Sequence, residues 1–141
     1  MPITVEFVDN LFKNLSNGNG DAFFTSVADD VNWTVMGTHP LAGVYNSKAD
    51  FLKSTFERLS RILKGGVILK VTHIFVSGDI AVVEMTSTST TLNGKPWPNT
   101  YCWILRFVDG IVKEVRAYVD SYLVQQVIEE NEKGTTRSTQ V

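Results

Sequence analysis

The sequence predicts an α+β fold in which an antiparallel sheet carries helices on one face. Three observations predict it. Apolar residues ahead of Gly65-Gly66 recur mostly at helical spacing. After that pair they alternate through long runs rich in β-branched side chains. Two such runs flank Asp109-Gly110, and Asp-Gly between alternating apolar runs signals a tight type I′ hairpin. Helices grouped before an antiparallel sheet pack together on one of its faces.

Val5, Val8, Leu11, Phe12 and Leu15 make a helix of residues 4–16, with Thr4 as its N-cap. Asn17-Gly-Asn-Gly20 stops it, because glycine and asparagine accept the left-handed C-cap conformation. A second helix is expected from Asp21 to about Ala28, burying Phe23, Phe24 and Val27. Val31–Val35 reads as a short strand, and residues 36–43 as a loop punctuated by glycine and proline. Ser47 caps a third helix running to about Leu63, with Phe51, Leu52, Thr55, Phe56, Leu59 and Ile62 inward.

Residues 67–76 and 80–91 alternate as strands joined through Ser77-Gly-Asp79. The prolines of the connector at 92–98 disfavour a central strand there. The Asp-Gly hairpin follows, then a short helix over residues 121–130. One domain therefore spans residues 1–130, and 131–141, polar and glycine-containing, is expected to be a flexible tail.

Of the 141 residues, 43% are hydrophobic, enough for one sizeable core. A formal net charge of −2 supplies no basic patch for nucleic acid. No apolar run approaches the length of a bilayer span, so no membrane partner is expected. The N-terminal residues lack a secretory pattern, and the single Cys102 excludes an internal disulfide. A cytoplasmic location is the expectation. No His, Asp or Glu set has metal-ligand spacing, and no glycine loop before a helix is built to cradle phosphates. Neither a metal nor another cofactor is expected.

The hairpin is the richest stretch. With Asp109-Gly110 as its loop, Val108 pairs with Ile111 and Phe107 with Val112. Continued outward, this register puts Asn99, Tyr101, Trp103 and Leu105 on one face with Asp120, Tyr118, Arg116 and Glu114. Two carboxylates, an arginine, an amide, two phenols and an indole make a poor dry core. They read as the wall of a polar-dotted aromatic pocket. The other face carries Thr100, Cys102 and Ile104 with Val119, Ala117 and Val115. It is too apolar for water, which predicts a homodimer through it, unless a helix or the tail folds over it.

Trp33, with the loop Gly37-Thr-His-Pro-Leu-Ala-Gly43, and the closing run from Phe107 to Asp120 carry a family likeness. With the order of elements, the chain resembles the SnoaL-like and ketosteroid-isomerase-related proteins of the nuclear-transport-factor-2-like superfamily over roughly residues 3–129. The resemblance implies a cone-shaped, strongly curved sheet with three helices on its concave face, a hydrophobic ligand in the open cone, and homodimers. It does not extend to the aspartate–tyrosine pair of ketosteroid isomerases. Nor does it reach the arginine-spacer-aspartate motif of limonene-epoxide-type hydrolases, where Glu84-Met-Thr86 stands. SnoaL-like cyclases use an aspartate near the end of the last strand as base, and Asp120 matches that position.

Asp120 reads either as that base or as the N-cap of the helix beginning at Ser121. If Gly78-Asp79 is a loop, His73 stands opposite Glu84, a ready acid/base pair on a face shared with Val71 and Phe75. Tyr101 and Tyr118 are expected to donate to a substrate carbonyl or to pack. Arg116 would hold an oxyanion or pair with Glu114, while Trp33 and Trp103 shape the cavity and Asn99 lies beside it. His39 is placed near the cavity mouth, as gate, second acid or solvated loop residue. Catalytic candidates are thus Asp120, His73, Glu84, Tyr101 and Tyr118; substrate-binding candidates are Trp33, His39, Asn99, Trp103 and Arg116. The function expected is a cofactor-independent acid/base isomerase, cyclase or dehydratase acting on a mid-sized apolar ketone of polyketide, terpenoid or steroid type. The alternative is a non-catalytic small-molecule binder or dimerisation module of the same fold.

Overall fold

A computed structural model describes residues 2–132. Thr4 caps the first helix, its hydroxyl oxygen accepting the Phe7 N–H at 3.0 Å, and α1 runs Val5–Ser16. Its buried residues are Val8, Leu11, Phe12 and Leu15, one stripe at helical spacing. Helix α2 (Gly20–Phe24) is shorter than the sequence suggested, because β-branched Val27 opens strand β1 (Val27–Val35) instead of closing that helix. A short β2 (Gly43–Tyr45) follows the loop and pairs antiparallel with β1.

The predicted third helix is broken in two, α3 (Lys48–Ser54) and α4 (Phe56–Ser60). The break is Thr55, at φ −121° and ψ −77°, whose hydroxyl donates to the Phe51 carbonyl at 2.7 Å. A threonine bonding back four residues offers the backbone an alternative to continuing the helix.

Strand β3 (Leu63–Lys64) forms a small ladder with β6 (Thr90–Thr91). The long strands β4 (Leu69–Ser77), β5 (Ile80–Ser87), β7 (Thr100–Val108) and β8 (Ile111–Val119) complete the main sheet, ordered β2-β1-β8-β7-β5-β4. It is antiparallel except between β1 and β8, which run parallel. A strand delivered by a helical segment is free to run either way, whereas hairpin-joined strands must reverse. Helices α1 and α3 pack against β4 and β1 respectively. The last helix, α5 (Ser121–Asn131), buries Val124, Val127 and Ile128. Asn131 thus belongs to a helix rather than to a tail, and Glu132 is its C-cap. Residues 133–141 of the expected tail lie outside the described residues.

Two bulges decide which side chains face inward. At the hairpin tip the prediction holds: Asp109 (φ 51°) and Gly110 (φ 78°) both take the positive φ of a type I′ turn, and Phe107 pairs with Val112. The next pair, however, is Arg106 with Glu114, leaving Lys113 as an extra residue. One slipped residue turns every later side chain to the other face. Val115, Ala117 and Val119 therefore join Tyr101, Trp103 and Leu105 on the inner face. Glu114, Arg116 and Tyr118 stand outside with Cys102, Ile104 and Arg106, so the polar pocket wall predicted from an uninterrupted register is not formed. The slip lets both Val112 and Val115 be buried, while Lys113 reaches Asp30 at 2.9 Å and Glu114 takes Arg106 at 2.7 Å.

The second bulge, at Thr72 in β4, has the same logic. Val71, Ile74 and Val76 pack against the core, and His73 and Phe75 point outward. Bulges bend the strands that carry them, and these two help curl the sheet around its helices.

Candidate active site

The curl leaves a cavity of about 50 Å³ between the inner face of the sheet and the helices. Strand β1 supplies Trp33 and Val35, the following loop His39 and Leu41, and α3–α4 supply Phe51, Thr55, Phe56 and Leu59. Trp97 comes from the proline-rich connector, Tyr101 and Trp103 from β7, Ala117 and Val119 from β8, and Val124 from α5. All three tryptophans of the chain line this one space. Trp33 stacks on Phe51, with ring centroids 3.9 Å apart, and meets Trp103 edge-on at 5.1 Å.

Within this apolar lining, the Trp33 ring nitrogen and the Tyr101 hydroxyl are buried and have no hydrogen-bond partner among the described residues. Most buried polar side-chain atoms are paired, so two orphan donors on side chains that line one cavity are a departure that calls for an explanation. Burial pushes the Tyr101 phenol far above its ordinary value, so it stays protonated and able to donate.

His39 is the other titratable group there. Its Nδ1 accepts the Leu41 N–H at 3.2 Å, so Nε2 carries the proton and donates to the Met36 carbonyl at 3.1 Å. Burial lowers its pKa, and the Met36 carbonyl offsets part of that effect. Gly37 makes the loop possible: at φ 115°, a Cβ there would lie 2.6 Å from the Ser121 hydroxyl and 3.0 Å from the His39 ring. The depressed pKa carries a stability consequence. The unfolded chain takes up this proton near the ordinary value of about 6.5, the folded chain only at lower pH. Stability contributed by the neutral ring is present above about pH 6.5 and is lost as pH falls toward the folded pKa. The urea midpoint should drop more between pH 7.5 and 5.5 in the wild type than in His39→Gln; equal drops would refute the assignment.

The structure gathers Trp33, His39, Tyr101 and Trp103 around the cavity, while Glu84, Tyr118 and Asp120, with Tyr101, border a separate open depression of about 340 Å³. His73 does face Glu84, at 3.1 Å between Nδ1 and Oε1, but on the outer face, where both are about half or more exposed. It stacks on Phe75 and does not share a face with Val71. Arg116 and Tyr118 are exposed on that outer face too. Asp120 sits at the sheet's end as N-cap of α5, one carboxylate oxygen accepting the N–H groups of Tyr122 and Leu123. Asn99 is buried, but its side chain ties the strand ends together, accepting from Thr100 and Asp120 N–H and donating to the Asp120 carbonyl. Sequence reasoning missed Trp97, whose indole N–H donates to the Leu123 carbonyl at 3.1 Å. A tryptophan between two prolines in a polar connector was the available sign that the connector docks.

Two curated fungal proteins resemble the chain. It is 31% identical over 134 residues to a dimerizing cyclase, phiC, from a fungal species, and 33% identical over 135 residues to the dimerizing cyclase tstC of Talaromyces stipitatus. Each match covers 92% of this chain but 59% of the relative, so the chain spans about three-fifths of their length. Among solved structures, an NTF2-like protein from Burkholderia thailandensis superposes with a TM-score of 0.73 at 22% identity, over 87% of this chain and 95% of that one. PrhC from Penicillium brasilianum superposes with a TM-score of 0.74 at 12% identity, over 94% and 89%. These two share the fold. The family model described as SnoaL-like domain matches residues 8–115, most of the chain. The chain is therefore a member of the SnoaL-like domain family, within the nuclear-transport-factor-2-like superfamily.

Proposed function

We propose that the cavity is the catalytic site of a cofactor-independent cyclase or isomerase acting on a largely apolar, ketone-bearing polyketide-type metabolite. The observation that carries this is the pair of orphan donors, Trp33 Nε1 and Tyr101 OH, within an apolar lining. Each buried unsatisfied group costs about 1–3 kcal/mol, a cost that a substrate oxygen between them would remove. Donors fixed in a dry site stabilise negative charge developing on that oxygen more than they stabilise the ground state.

The neutral His39 is the proton acceptor available in the same space. Its Nδ1 releases the Leu41 N–H and takes a proton from the carbon beside the carbonyl. The electron pair left behind becomes an enolate whose oxygen accepts from Tyr101 and Trp33. The enolate carbon then attacks an electrophilic carbon in the same or a second substrate molecule, forming the new bond. His39 returns the proton to the product. The two relatives named dimerizing cyclases support chemistry of this class.

A binding protein without chemistry is the second reading, and one observation favours it: both His39 nitrogens are already engaged. Incubation with a panel of polyketide-type ketones, followed by mass spectrometry, separates the two. Catalysis predicts product from the wild type and a rate about 10²–10⁴-fold lower in His39→Gln. Ligand that binds and is recovered unaltered would leave only the binding reading.

We also infer that the chain pairs with a second copy through the outer sheet face. The surface first expected there is corrected, since Val115, Ala117 and Val119 face inward. What the outer face offers instead is exposed Phe75 and Tyr118 beside half-buried Cys102 and Ile104. A twofold axis would set each aromatic against its partner's patch. Light scattering at micromolar concentration should give twice the chain mass, and Phe75→Lys with Tyr118→Lys should halve it. A wild-type monomer would refute the inference. We infer a cytoplasmic location, where the single cysteine, Cys102, stays a free thiol.

A further inference from the structure

A second space lies against the cavity. A groove of about 250 Å³ opens between the turn before α2 and the α4–β4 segment, with Asn19, Asp21, Glu57 and Ser60 among its lining. Phe56 and Val67 line both spaces, so the wall between groove and cavity is one phenyl ring and one valine thick. The inner cavity of 50 Å³ is far too small for the substrate class proposed above. Added to the groove, it reaches the lower end of the range for ligand pockets, about 300–1,000 Å³.

The element carrying Phe56 is set apart from α3 by a break in the helix. Helix α4 follows the non-helical Thr55 and has no side-chain cap at its start. Buried Leu59 anchors it in the core, and Arg58 ties its outer side, the guanidinium donating two hydrogen bonds to the Glu132 carboxylate beyond α5, at 2.9 and 3.0 Å. The Phe56 ring itself rests edge-on against Phe24, centroids 5.0 Å apart.

We propose that groove and cavity are two halves of one ligand site, parted by Phe56 on a hinged α4 that the Arg58–Glu132 pair latches shut. The inner half takes the apolar, carbonyl-bearing end. The outer half, lined by Asp21 and Glu57 and, among the described residues, by no cationic side chain, takes a hydroxyl-bearing end and disfavours a carboxylate. This deepens the reading of the cavity as a ligand site, but its test needs no turnover.

Trp33 and Trp103 line the cavity, whereas Trp97 also borders an outer groove, so acrylamide quenching of tryptophan fluorescence is read in a Trp97→Phe background, where it reports access to the cavity. Phe56→Leu and Phe56→Ala should raise the quenching constant several-fold, and Glu132→Gln should raise it too while the urea midpoint shows a folded protein. Leu15→Ala, a buried position on α1 that lines neither space, should leave it near the wild-type value. Titration with 1-decanol should shift the tryptophan emission at concentrations at least tenfold below those decanoate needs at pH 7. Unchanged quenching in both Phe56 variants, or quenching raised as much by Leu15→Ala, would overturn the gate. Equal binding of decanol and decanoate would overturn the assignment of the groove. An inactive protein that still shows these effects would refute only the proposed chemistry.

Discussion

Replacing Trp33 with alanine is expected to remove about 3–5 kcal/mol of folding free energy. The side chain is 0% exposed, stacks on Phe51, and meets Trp103 edge-on and Phe24 at 5.9 Å. It holds three elements at once, β1, β7 and α3, so the void it leaves cannot be closed by moving one of them. A domain of this size has about 5–15 kcal/mol of stability in all, so the loss should be visible as a large fall in the urea midpoint. A change below about 1 kcal/mol would mean that the aromatic cluster can collapse onto the hole, and that the cavity wall is far softer than its packing indicates.

Tyr101→Phe should move activity and stability in opposite directions. Removing the hydroxyl takes one donor from the developing oxyanion, and loss of such a donor lowers kcat by about 10²–10³-fold. In the folded, unliganded protein the same hydroxyl is buried without a partner among the described residues. Phenylalanine keeps the ring against Trp97 and removes the unmet polar group, so stability should rise, by up to about 1–3 kcal/mol. Thermal or urea unfolding beside a rate measurement reads both. A less stable variant would show that the hydroxyl has a partner in the free protein, and unchanged turnover would remove Tyr101 from the mechanism.

The helix caps at Thr4 and Ser47, the Asp-Gly turn and the pairing of His73 with Glu84 were legible because each is fixed by neighbours in sequence. The site was less so. Its polar wall was misread at a single residue, Lys113, since a period of two carries one error to every later position. The clue was present: Val112 and Val115 stand three apart, as do Val71 and Ile74, and both spacings break the alternation where the strands bulge. The orphan donors were beyond reach. Tyr101 was singled out for its residue type, but that it and Trp33 share a cavity depends on the packing of β1 beside β8, which no local pattern encodes. The parallel sense of that pair was hidden for the same reason.

That parallel pair also constrains how the chain can fold. Strand β1 is made early, yet its neighbour on the interior side of the sheet is β8, pairing Asn32 with Glu114, and β8 is the last strand among the described residues. Meanwhile β1 can complete only its short hairpin with β2 and must keep a long edge unpaired. Contacts so distant along the chain slow folding, because the loop must be closed before the pairing rewards it. On a ribosome the cavity-forming half cannot settle vectorially; it waits until the final hairpin has emerged. In that interval the exposed edge of β1, carrying Val31, Trp33 and Val35, is the segment most open to pairing with another nascent copy.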